Sequence, residues 1–181
     1  PRRQELCLFY LAHESQTENI ETQDDLREAF IKTAAAETFL SWQYYKNKNG
    51  NDASKLDEEL EKGDIPPEFL RSMFFTYADY RDICLNSDIS KKDGDVKDAI
   101  DNIGKVFEKG KSAGNLSREN WWKTNGPEIW KGMICALTHE VTETDKKKNI
   151  LDKYSYENLN ETKDGITPLE KFASKPQFLR W

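Results

Sequence analysis

Between Ile65 and Leu85 the chain reads IPPEFLRSMFFTYADYRDICL, and no other stretch restricts the fold as much. Pro66 or Pro67 opens it in the first helical turn, where a backbone N–H would have no partner to lose. Beyond the prolines, Phe69, Met73, Tyr77, Tyr80 and Cys84 recur at helical spacing, and Leu70, Phe74, Tyr77 and Leu85 form a second row beside them. An apolar stripe this wide predicts a helix inside a bundle, covered on more than one side. Arg71, Asp79, Arg81 and Asp82 stand among these residues, so each must pair with another of them or with a neighbouring helix to be tolerated there.

Two further segments have the same character. Thr22, with Asp25 three residues on, predicts an N-cap for a helix running to about Lys46. Leu26, Phe30, Thr33, Leu40 and Tyr44 fall on one face of it, and Ile31, Ala35, Thr38, Trp42 and Tyr45 on another about 100° round. Ala34, Ala35 and Ala36 offer either a waist for close approach of another helix or simple helix propensity. Ser117 opens the third segment, in which Trp122, Ile129, Trp130, Met133, Leu137 and Val141 share a face; Gly126-Pro127 predicts a kink or a fresh start capped by Asn125. Trp42, Phe74, Tyr77, Trp130 and Met133 are the expected core.

The remaining elements are shorter. Residues 3–14 place Leu6, Phe9 and Tyr10 on one face of a short helix, residues 54–63 make a charged helix with a glycine stop, and residues 95–109 make a one-sided outer helix. The stretch 142–168 reads as polar loop with a helical turn near Leu151 to Tyr154, followed by a helix from Thr167 or Pro168 and another starting at PQFLRW. The expected fold class is therefore all-α, a helical bundle with long loops.

A chain of 181 residues suffices for one domain, and its mean hydropathy of -0.87 and formal charge of -6 describe a heavily charged surface. That charge argues against a chain-wide basic footprint for nucleic acid or anionic membrane. No apolar run approaches the roughly 20 residues that span a bilayer. The chain begins abruptly at PRRQELC and stops at PQFLRW, which predicts a piece of something larger. The three cysteines, Cys7, Cys84 and Cys135, lie outside any CxxC. Cys84 and Cys135 each fall on an expected central helix, so residue spacing allows either a bridge between them or three reduced thiols.

Chemistry is hard to find. His13 and His139 lack the spacing of metal ligands, and no nucleophile elbow, phosphate loop or HExxH motif occurs, so no catalytic, metal or cofactor site is expected and the chain is not expected to be an enzyme. Acidic pairs such as Glu58 and Glu59 or Asp79 and Asp82 read as solvated faces or buried ion pairs. Asn115-Leu-Ser117 and Asn160-Glu-Thr162 are glycosylation triplets in expected loops.

Five phrases, PRRQELCLFYLAHES, AFIKTAAAETFLSWQYYK, IPPEFLRSMFFTYADYRDICL, ENWWKTNGPEIWKGMICALT and PLEKFASKPQFLRW, occur in order along nearly the whole chain. Together they resemble the Duffy-binding-like domains of the variant erythrocyte membrane protein 1 family of malaria parasites, and YLAHESQTENI with FLSWQYYKNKNGNDASKL is most similar to the beta class. The resemblance implies that residues 1–181 are the middle helical subdomain of a larger domain, with flanking subdomains missing at both ends. It implies an extracellular place on the infected erythrocyte surface, and adhesion to a host receptor, intercellular adhesion molecule 1 foremost, through the complete domain. A sulfated or sialylated glycan is the alternative partner. No nucleic acid, membrane contact or cofactor is implied, and no receptor-contact residue is carried over. An oxidising location favours a Cys84–Cys135 disulfide, leaving Cys7 free or paired outside this chain.

Overall fold

The computed structural model describes residues 5–89, 91–109, 114–163 and 165–180. In chain order its helices are α1 (Phe9–Ala12), α2 (Glu14–Thr17), α3 (Gln23–Lys48), α4 (Ala53–Glu61), α5 (Pro67–Leu85), α6 (Gly94–Lys109), α7 (Arg118–Leu137), α8 (Thr144–Lys153), α9 (Tyr156–Asn160) and α10 (Leu169–Ala173). Short 3-10 turns cover Gly50–Asp52 and Gln177–Leu179. Extended pairing among the described residues is limited to one isolated bridge, Lys163 to Ile166, so the all-α expectation holds.

The long helices α3, α5 and α7 form the body. Thr22 caps α3 as its sequence requires: its hydroxyl accepts from Asp25 N at 3.1 Å, and the Asp25 carboxylate accepts from Thr22 N at 2.9 Å. These hydrogen bonds, with that from the Thr22 hydroxyl first among them, hold the Asp25 carboxyl below its ordinary pKa. Pro67 stands at the start of α5, and Asn86 closes it in the left-handed conformation at φ 53°. In between, residues on every face of α5 are buried, from Phe69 and Phe74 to Tyr80 and Cys84. It is the central helix that its double apolar row predicts.

Contacts at the helix ends fix the directions. Trp121 Nε1 donates to Gln23 O at 3.2 Å, while Lys46 Nζ at the far end of α3 reaches Glu140, just beyond α7, at 2.8 Å. Helices α3 and α7 therefore run the same way. Helix α5 runs against both, because Phe69 near its start packs on Trp42 at 4.9 Å and Cys84 at its end accepts from Arg118 Nη1 at 2.7 Å. Phe74, Tyr77, Trp122 and Trp130 meet edge-on or tilted at 5.1–5.8 Å in the middle of this layer. The five expected core residues are all buried.

Helix α7 is continuous through Gly126-Pro127, without a fresh start. Asn125 does not cap; its side chain turns back and donates to Trp121 O at 2.9 Å inside the helix. Gly126 is required by what lies across from it, since a Cβ there would meet Tyr77 Oη well inside van der Waals contact. Tyr77 in turn donates to Glu170 Oε1 at 2.5 Å, and burial, followed by the nearby carboxylate, pushes its hydroxyl well above the ordinary tyrosine pKa. Gly126→Ala is accordingly expected to cost about 1–3 kcal/mol by overpacking. With Tyr77→Phe already in place, the nearest ring carbon lies at an ordinary 3.6 Å, and the same alanine should become neutral or gain up to about 1 kcal/mol from helix propensity. A urea-unfolding double-mutant cycle checks this reversal.

Several expectations need correction. The stretch 142–168 is not mainly loop: Ile150 and Tyr154 are buried, and Tyr154 accepts from Trp130 Nε1 through its carbonyl and from Ile65 N through its hydroxyl. Ile150 and Tyr154, with Leu151, Tyr156 and Leu159 partly buried against the core beside them, dock α8 and α9, although the polar residues around them hide the helical period. Leu40 and Tyr44 are exposed, because the buried face of α3 is carried by Ala29, Phe30, Thr33, Ala34, Thr38 and Trp42. Leu6, Leu8 and Leu11 are buried at the amino end, whereas Phe9 is exposed and the helix breaks at His13 into α1 and α2.

Candidate interaction surface

The two cysteines expected to pair are not brought together. Cys84 is buried at the end of α5, against Arg118 at the start of α7, whereas Cys135 is exposed near the other end of α7. Arg118 and Cys135 are separated by roughly 25 Å of helix, against the ~7 Å Cα limit of a disulfide. Even a fully extended arginine leaves the thiols far apart, and Cys7, Cys84 and Cys135 are all free. The antiparallel course of α5 explains the correction, since two cysteines near the carboxyl ends of antiparallel helices lie at opposite ends of the bundle. Burial pushes the Cys84 thiol up to about 12, which makes it inert.

Asp79 and Asp82 have a partner that residue spacing within α5 does not reveal. Arg180 folds back and is itself buried, with Nη1 and Nη2 on the two Asp82 oxygens at 2.8 and 3.1 Å and Nη1 at 3.7 Å from Asp79. Nη2 also donates to Ala173 O at 2.7 Å, and Arg71 donates to Arg180 O at 3.3 Å. Phe172 packs edge-on against Phe74 and Phe75 beside this clasp. The signal in the sequence is the pair of acids one helical turn apart on a buried face, which demands a cation from elsewhere. Gln177 N donates to Asp88, so the carboxyl segment is also tied to the turn after α5.

The histidines take local roles. His13 Nδ1 accepts from Ser15 N at 3.3 Å as the N-cap of α2, and His139 packs edge-on to Phe39. Among the described residues no group of three or more His, Cys, Asp or Glu could hold a metal ion. Asn115 is exposed, but Asn160 ends α9 and its side chain accepts from Glu170 N at 2.8 Å and donates to Tyr156 O.

One concave surface stands out. A cavity of about 800 Å³ lies between the carboxyl half of α3, the first turns of α5 and the segment leading into α1. Buried Leu6 and Phe69 form its floor, and exposed Leu40 and Tyr44 its wall. Among the described residues, Glu5, Glu37, Glu68 and Lys48 are its charged lining. Glu37 is held by neutral donors, Cys7 N at 2.9 Å and Ser41 Oγ at 3.0 Å. Tyr45 registers the local field: burial first, then the carboxylates of Glu68 and Glu59, raise its hydroxyl pKa.

Comparison with known proteins gives one result. The family model described as Duffy binding domain matches residues 1–180. No curated protein and no solved structure matches the chain.

Proposed function

The chain belongs to the Duffy binding domain family, and from that premise we propose that it is the helical scaffold of a parasite adhesion domain whose host receptor is intercellular adhesion molecule 1. Duffy binding domains are extracellular adhesion modules that engage host cell-surface receptors, and the family match over almost the whole chain is the observation that carries the reading. The beta-class phrases near the amino end point to this receptor, on the surface of an infected erythrocyte. Residues 1–181 act as the middle subdomain of a larger domain, and the complete domain makes the receptor contact. None of the described helices is long and apolar enough to cross a membrane.

The physics of the fold suits a scaffold. Interlocked aromatic rings fix α3, α5 and α7, so exposed connections between helices can change sequence with little effect on the core. Protein recognition is favoured over a sulfated glycan because Lys146 and Lys153 on the α4–α8 side are tied to carboxylates. Lys146 lies 2.8 Å from Glu143, and Lys153 pairs with Asp64.

The test is surface binding of the complete domain to a receptor panel that includes intercellular adhesion molecule 1 and a sulfated glycan, at low and high salt. Saturable receptor binding that largely survives high salt is expected. Binding to the glycan alone, abolished by salt, would replace this receptor with the alternative, and binding to nothing in the panel would remove the receptor assignment altogether.

A further inference from the structure

The two glycosylation triplets, Asn115-Leu116-Ser117 and Asn160-Glu161-Thr162, have the same pattern in different surroundings. Asn115 is exposed in the connection that leads into α7, and its side chain makes no hydrogen bond among the described residues. Gln23 holds the backbone beside it, donating to Leu116 O at 2.9 Å and accepting from Leu116 N at 3.1 Å. Asn160, by contrast, is half-buried and fully employed. Pro168 gives α10 no side-chain cap, and Asn160 Oδ1 takes that place by accepting from Glu170 N at 2.8 Å. Its Nδ2 donates to Tyr156 O at 2.8 Å, which closes the end of α9. Glu170 in turn accepts from Tyr77 on the central helix, so the Asn160 amide is one link in the series of bonds that seats α10.

We propose that Asn115 is an acceptor of N-linked sugar and that Asn160, with the same motif, is closed to it by the fold. The donor is an oligosaccharide carried on a lipid pyrophosphate. A bond forms between Asn115 Nδ2 and C1 of the first sugar, the bond from that carbon to the pyrophosphate oxygen breaks, and the amide proton and the lipid pyrophosphate leave. In the planar secondary amide that results, the sugar lies on the same side as the carbonyl oxygen. At Asn160 that side is taken by Glu170 N and the first turn of α10, so a sugar there and a docked α10 exclude one another. Asn115 has no such bond to give up. Transfer precedes folding at this triplet, because the Ser117 hydroxyl accepts from Asn120 N as the N-cap once α7 has formed. A sugar on Asn115 stands at the end of the bundle where α3 and α7 begin, and shields the surface there. The inference draws on the extracellular place of the family and is independent of the receptor.

Secretion of the 181-residue chain from a cultured animal cell line, behind a cleavable signal peptide, tests the acceptor itself whatever receptor the complete domain binds. The secreted protein is checked for helical circular dichroism and mapped by peptide mass spectrometry before and after peptide N-glycosidase. Sugar at Asn115 and none at Asn160 is expected. Asn115→Gln should abolish the glycan mass completely. Thr162→Ala, which removes the second motif at an exposed position without touching the Asn160 amide, should leave that mass unchanged. In sugar-free chain produced in bacteria, Asn160→Gln should lower the urea midpoint by about 0.5 M, whereas Asn115→Gln and Thr162→Ala should not move it, since only Asn160 holds α10. Sugar on Asn160 of the helical secreted chain, an unmodified Asn115, or equal urea midpoints for Asn160→Gln and Asn115→Gln would each overturn the proposal.

Discussion

Arg180→Met is expected to lower the unfolding free energy by about 3–5 kcal/mol, because it removes the buried guanidinium that holds both Asp82 oxygens and lies beside Asp79, and Arg81, at 4.0 Å from Asp82, is too far to take over its hydrogen bonds. The size comes from burial. Arg180, Asp79 and Asp82 are 1–3% exposed, so water cannot replace the lost guanidinium as it would at the surface. The variant also releases the hydrogen bond to Ala173 O and loosens the strap that presses α10 onto α5. Urea unfolding measures the loss. Adding Asp82→Leu to Arg180→Met should recover part of it, since removing both charges is milder than removing one. A cost under about 1 kcal/mol for Arg180→Met would mean that the clasp is open in solution.

Trp130→Ala should cost about 3–5 kcal/mol, at the upper end for core truncations. Its ring is fully buried between Phe74 and Tyr77, at 5.7 and 5.8 Å, and its indole N–H satisfies the Tyr154 carbonyl at 2.8 Å. Truncation therefore opens a cavity and leaves a buried acceptor without a donor. It also disconnects α8 and α9 from α7, so hydrogen exchange should accelerate first around Ile150 to Tyr156. Tyr44→Ala is the matched control: at 70% exposure it should change stability by less than about 0.5 kcal/mol. If both variants lost the same stability, Trp130 would not be at the centre of the bundle.

How far the fold could be read from the sequence follows from how each segment advertises its burial. Helix α5 could be read almost residue by residue, because two proline start signals and a double apolar row leave little alternative. Thr22 and Asp25 marked the start of α3 equally well. The faces of α3 were harder, since Leu40 and Tyr44 continue the apolar period past the point where small residues such as Ala29 and Ala34 take over the contact. The helices α8 and α9 were hidden by composition: Ile150 and Tyr154 anchor them, but the lysines and asparagines on either side imitate a loop.

The long-range pairings were less legible still. Asp79 and Asp82 announced that a cation must arrive, while nothing local to α5 pointed to Arg180. Cys84 and Cys135 lie on packed helices, as expected, but helix direction decides whether two such residues meet, and direction is set by the connections through α6 and by end contacts such as Arg118 on Cys84. The cavity beside α3 was invisible for a related reason: a stripe at helical spacing looks the same whether a neighbour covers it or not.

The central claim is that this helical body holds an adhesion surface together and does not itself supply most of the receptor contact. Its most direct measurement is the affinity of intercellular adhesion molecule 1 for the isolated 181-residue chain and for the complete domain, side by side, with circular dichroism confirming that the isolated chain is helical. The account predicts saturable binding by the complete domain and binding at least about tenfold weaker by the folded chain. Equal affinity for the two would contradict it.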